Sequence, residues 1–231
     1  MSSFVSFSGG VRLARSRLSA LSVGTVTVAG VGLTALAAVA EHSVSPAHAP
    51  ARALQGPAFG LGVPLVTMAI VALFTGHDNL RSSTKPLAWL GADRRSVVVG
   101  MVVVGAAVAA GINVLVGVGT ALLAHGGHGG GMWTDAGTAA WVAVLASLTY
   151  ASLFTFASTI GRKGGWRSWA WLADLWLGTM TGYGAVIAPR AHTLNLLGGP
   201  CVGHLSQASS AAALLLLAAI FLTASLLKIG K

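Results

Sequence analysis

Val97–Leu123 reads VVVGMVVVGAAVAAGINVLVGVGTALL, 27 consecutive residues without a charged side chain. About 20 residues suffice to cross the ~30 Å hydrocarbon core as a helix, so this one must tilt or project beyond the bilayer. Polar and apolar residues do not alternate along it, which removes a barrel strand from consideration. Five further stretches have the same character: 18–40, 57–76, 138–160, 169–188 and 209–227. Only 169–188 includes a charged residue, Asp174. The expected fold is an all-α integral membrane protein with six transmembrane helices.

Composition agrees. Of 231 residues, 55% are hydrophobic and 8% charged, whereas roughly a quarter of a soluble domain is charged. Mean hydropathy is +0.78. A soluble enzyme could not hide that much apolar surface in one core, and a disordered chain would have far less of it. No period of 20–50 residues repeats, so residues 1–231 are read as one domain.

Lys and Arg number 14 against 5 Asp and Glu, a net charge of +9. In a soluble protein that balance would suggest nucleic acid. Here the basic residues cluster beside apolar stretches and act as orientation signals, and no nucleic-acid partner is expected. Arg12, Arg15 and Arg17 precede the first span, and Arg81, Lys85, Arg94 and Arg95 separate the second from the third. Arg162, Lys163 and Arg167 separate the fourth from the fifth, and Lys228 and Lys231 follow the sixth. Twelve basic residues thus fall on one side, against Arg52 and Arg190 on the other. The positive-inside rule puts both termini in the cytoplasm. Ala47-His48-Ala49 resembles a signal cleavage site, but the preceding apolar run of 23 residues exceeds the about 7–15 of a signal peptide.

Chemistry-bearing patterns are sparse. GxxxxGK[ST], HExxH and GxSxG are all missing, so the chain is not expected to be an enzyme or to hold a cofactor of its own. Cys201 has no partner for a disulfide and no zinc-type spacing. Asp174 is the candidate membrane-embedded acid. Lying six residues into its span, it reads as a shallow structural residue within reach of Arg162, Lys163 or Arg167, with a transport role as the alternative. His125-Gly-Gly-His128 is a weak metal tract on the outer side, and its glycines would add a large ordering cost to any site. No metal site is assigned. Gly178 and Gly182 form a GxxxG, and Gly100, Gly105 and Gly111 recur along the third span; such residues permit close helix approach. Trp166, Trp169 and Trp171 read as the inner aromatic belt, and Trp133 and Trp141 as the outer one.

The link between the second and third spans carries a resemblance. Ala72-Leu73-Phe74-Thr75-Gly76-His77-Asp78-Asn79-Leu80-Arg81 and Pro86-Leu87-Ala88-Trp89-Leu90-Gly91-Ala92-Asp93-Arg94-Arg95-Ser96-Val97 together resemble the permeases of ABC transporters of the type-2 exporter class. There a short cytoplasmic loop follows the second helix, with leucines, a small residue or Pro, then Ser/Asp-Arg-Arg. The six-span count, the cytoplasmic termini, a short amphiphilic N-terminal segment and Ser158-Thr159-Ile160-Gly161-Arg162 agree with it. The family also implies short re-entrant helices before the last span, which 189–207 fits; an ordinary outer loop is the alternative.

The resemblance implies a separate ATPase subunit that binds ATP and Mg, a second permease copy, and residence in a bacterial inner membrane. It implies coupling through the loop 77–96. There Leu87, Trp89 and Leu90 would be apolar anchors, and Arg94 and Arg95, with Arg81 and Lys85, would engage acidic rims or lipid phosphates. The alternative function is a non-transporting membrane anchor or assembly subunit, metal-related through the outer histidines.

Overall fold

Asp93 shows how the longest helix begins. Its carboxylate accepts hydrogen bonds from the amides of Arg95 (3.3 Å) and Ser96 (3.0 Å) and from the Ser96 hydroxyl (2.6 Å), so two of the donors that every helix start leaves without partners are satisfied. The computed structural model describes residues 3–76, 79–127, 130–161, 164–180 and 182–230; His77, His128, Arg162, Lys163 and Lys231 lie outside them. All regular structure among the described residues is helical. The helices are α1 (Ser3–Arg17), α2 (Ala20–Val44), α3 (Ala49–Ala53), α4 (Val63–Thr75), α5 (Leu80–Trp89) and α6 (Arg94–Ala124). α7 (Met132–Ala157), α8 (Trp166–Leu177), α9 (Pro189–Leu196) and α10 (Gln207–Ile229) follow. Five stretches are long and apolar enough to cross a membrane: Ala20–Val44, Ala49–Trp89, Arg94–Ala124, Met132–Ala157 and Gln207–Ile229. The chain is a multi-pass membrane protein.

The Asp93 cap can be tested by pH. Hydrogen bonding to Ser96 holds this carboxyl below the usual carboxylate range. A group with a depressed folded pKa stabilises fully above its unfolded pKa and loses that contribution as pH falls through the folded value. Asp93→Ala is therefore expected to cost ~0.5–2 kcal/mol at pH 7, and the gap from the parent protein should narrow as pH falls below about 4. Melts in detergent at pH 7 and pH 3 measure it; a gap that ignores pH would assign the loss elsewhere.

α6 is central, packed by α1, α2, α4 and α7, and α10 lies on α7. Phe59, Ile70, Phe74, Met101, Val116, Tyr150 and Phe154 fill the shared core. In its middle Asn113 Nδ2 donates to Thr67 Oγ1 and Ser147 Oγ, each at 2.9 Å, tying α4 to α6 and α7 where water is excluded. α2 and α10 are peripheral and present Leu21, Val28, Leu36, Leu216 and Ile220 outward. α1 crosses the start of α6 backbone to backbone, burying Ser6, Gly10 and Ala14.

Two expected spans differ from their expectation. The second was bounded at Pro57, but helix begins at Ala49 and passes through a π-helical segment, Leu54–Gly62, into α4. The wider turn accommodates Pro57 inside the helix, with Val63 donating to Ala58 five residues back. The stretch 169–188 is not one helix. α8 ends at Leu177, a 3-10 turn covers Tyr183–Ile187, and α9 resumes at Pro189. Gly178 caps α8 and Gly182 has φ 119, a conformation that side chains with a Cβ avoid. The Gly178/Gly182 pair therefore ends and turns the chain instead of packing one helix on another.

Candidate functional site

α8 has only two buried residues, Arg167 and Asp174. They are seven positions apart, hence on one face and ~10 Å apart along the axis. The opposite face exposes Trp169 and Trp176. Charge thus points inward and aromatic surface outward, the reverse of a soluble amphipathic helix.

At the upper anchor, Asp174 is 5% exposed. Its Oδ2 accepts from the Tyr150 hydroxyl of α7 at 2.8 Å, and its Oδ1 accepts from the backbone amide of Arg190 at 3.1 Å. Arg190 is the second residue of α9, so the carboxylate caps that helix from another element, at the end where the dipole favours negative charge. The Arg190 side chain crosses to the π segment and donates through Nη1 to the Gly60 carbonyl. Pro64, four residues on, has no N–H with which to compete for that carbonyl. A Cβ on Gly60 would lie 2.9 Å from Arg190 Nη2, and one on Gly178 2.8 Å from Arg190 Cβ. Both glycines make room for this arginine. The break between α8 and α9 is therefore pinned to α7 and to the π segment by one carboxylate and one guanidinium.

At the lower anchor, Arg167 is 9% exposed. It does not reach Asp174; it donates to Thr75 Oγ1 (2.5 Å), Gly76 O (3.2 Å) and Gly164 O (3.0 Å). The expected Arg167–Asp174 pair is thus replaced by two separate anchors, and Arg162 and Lys163 fall outside the described residues. Arg190, counted above among outer charges, turns out to be half-buried beside Asp174. Tyr150 had no signal in sequence beyond sitting in an apolar run.

In the loop between the spans, α5 is capped by Asn79, whose Oδ1 accepts from the Ser82 amide at 2.9 Å, and Leu80 N–H donates to Ser158 O at 3.0 Å. Trp89 and Leu90 are 76% and 74% exposed, with the Lys85 ammonium 5.0 Å from the Trp89 ring centroid. Leu87 does not join them: it is half-buried and packs on α1, its Cδ1 3.6 Å from where a Gly9 Cβ would be. Arg94 is half-buried in the first turn of α6, and Arg95 is exposed, reaching toward Gly230 at the end of α10.

On the other side of the bundle, His125 Nε2 lies 3.4 Å from Asp135 Oδ2, and His42 Nδ1 lies 2.9 Å from Ala124 O. His192 is fully buried between Val186 O and Ser210 Oγ. Among the described residues no three His, Cys, Asp or Glu come together to hold a metal ion. His128 lies outside them.

Comparison with family models, with curated proteins and with solved structures gives no match for this chain.

Proposed function

We propose that the chain is the membrane-spanning permease subunit of an ATP-driven exporter of the type-2 ABC class, working as a pair of permeases with a separate ATPase that holds ATP and Mg. The carrying observation is α5: a separately capped ten-residue helix between two spans that ends in an exposed Trp89–Leu90 pair. Leaving large apolar side chains in water costs roughly 1.5–3 kcal/mol each, and tryptophan is a frequent interface anchor. In this reading α8 and α9 are the two halves of a broken fifth span, α9 leads into a re-entrant segment before α10, and both termini are cytoplasmic in a bacterial inner membrane. α1 lies along the inner surface and braces α6. Arg95 and Lys85 flank the docking pair with positive charge.

The test is purification of the tagged chain from its native membrane. The parent should bring down a P-loop ATPase whose hydrolysis it stimulates. Trp89→Ala with Leu90→Ala should reduce that recovery at least tenfold while the chain still inserts and melts normally. Recovery at parental stoichiometry and turnover would overturn the assignment. If insertion or stability failed instead, the pair would belong to the lipid headgroup layer.

A further inference from the structure

We infer that the carboxyl-terminal end of α4 is a joint that couples α5 to α8, with Thr75 and Gly76 at its centre and Ser83 and Arg167 as its two arms. The final carbonyls of any helix lack intrahelical donors, and those of α4 are taken by three different elements. Phe74 O accepts from Arg17 Nη1 of α1 at 2.9 Å. Thr75 O accepts from the Ser83 hydroxyl of α5. Gly76 O and Thr75 Oγ1 accept from Arg167 of α8. Arg17 Nη2 also reaches Ser83 O at 3.4 Å, closing the ring between α1 and α5.

Among the described residues no hydrogen bond runs directly from α5 to α8, and Thr75 and Gly76 are bonded to both, beside a longer path from the start of α5 through Ser158 and Gly161. Within α8 the displacement passes along the face that carries its two buried residues. Arg167 and Asp174 are that helix's only buried residues, so a shift at Arg167 tilts the helix against the Asp174–Tyr150–Arg190 cluster at the break. Topology signalling would explain the positive charge of Arg17 and Arg167, but not why both guanidiniums donate to the end of the same helix. The forked donor geometry of arginine fits this end, and a lysine ammonium would not reproduce it.

The joint rests on the exporter reading only in naming α5 as the docking element; the coupling itself belongs to this chain alone. Hydrogen exchange of the full chain in lipid nanodiscs tests it. Coupling between two sites is reciprocal. Arg167→Lys, which keeps the charge, should raise exchange severalfold in residues 80–84 of α5 as well as in 166–170. Ser83→Ala should raise exchange in 166–170 as well as in 80–84. Thr75→Val, which removes only the hydroxyl that accepts from Arg167 and leaves the carbonyl that accepts from Ser83, keeps the test valid if the arginine variant inserts poorly, and it should loosen both segments. Substitutions that loosen only their own helix, or an Arg167→Lys chain that exchanges like the parent, would overturn the joint. Loss of the joint would leave ATPase recovery intact, whereas failure of the exporter reading would leave the reciprocal exchange intact.

Discussion

Asp174→Leu is expected to be among the most destabilising single substitutions at the break between α8 and α9. Leucine fills a similar volume but accepts nothing. The Tyr150 hydroxyl and the Arg190 amide would both lose their acceptor, and a buried donor left unpaired costs roughly 1–3 kcal/mol. The Arg190 guanidinium would also lose its nearby negative charge, and its Nε already lacks a partner among the described residues. Asp174→Asn keeps one accepting oxygen and should lose about half as much. Tyr150→Phe removes the donor together with the need for it, so combined with Asp174→Leu it should cost less than the two single effects added. Thermal unfolding in one detergent, run on the parent and the four variants, reads out the order. An Asp174→Leu protein as stable as its parent would remove the carboxylate from its anchoring role.

Hydropathy located the spans because a bilayer demands a long run without charge, and α6, α7 and α10 satisfy that demand over most of their lengths. Their ends extend past the apolar runs, since a capped first turn such as Asp93-Arg94-Arg95-Ser96 is helical without being apolar. The same measure could not see the break at Gly178. Gly, Thr and Met keep the average apolar while the backbone turns, and only the φ of Gly182 records the change. Asp174 was visible as a lone acid, but its partners were not. Tyr150 lies 24 residues earlier in a different helix, and Arg190 contributes its amide, which no side-chain pattern reveals. In α5 the apolar triplet was legible, yet which members face outward depends on where α1 lies, and α1 covers Leu87 while leaving Trp89 and Leu90 free.

Glycines make the same point with opposite signs, and Gly100→Ala is the sharper measurement. In an exposed helix interior, glycine to alanine should stabilise by ~0.8–1 kcal/mol. At Gly100 a Cβ would overlap the Phe7 carbonyl and come within 3.0 Å of Val11 N, and at Gly10 it would overlap the backbone of Val97. These neighbours are backbone atoms of a crossed helix and have no rotamer with which to yield. Overpacking of this kind costs typically 1–3 kcal/mol, and the cheaper response is for α1 to lift from α6. Lifting α1 would draw Arg17 away from Phe74 O and Ser83 O, so one methyl group should also weaken the joint at the end of α4. Gly111 lies on the same helix with open space around its Cβ position, and Gly111→Ala should raise the thermal midpoint. The expected result is a reversal of sign along one helix. Gly100→Ala should lower the midpoint and speed trypsin cleavage after Arg12 and Arg15, which are exposed but held in α1, while Gly111→Ala does neither. Equal effects at the two positions would mean that α1 does not ride on α6 through this crossing.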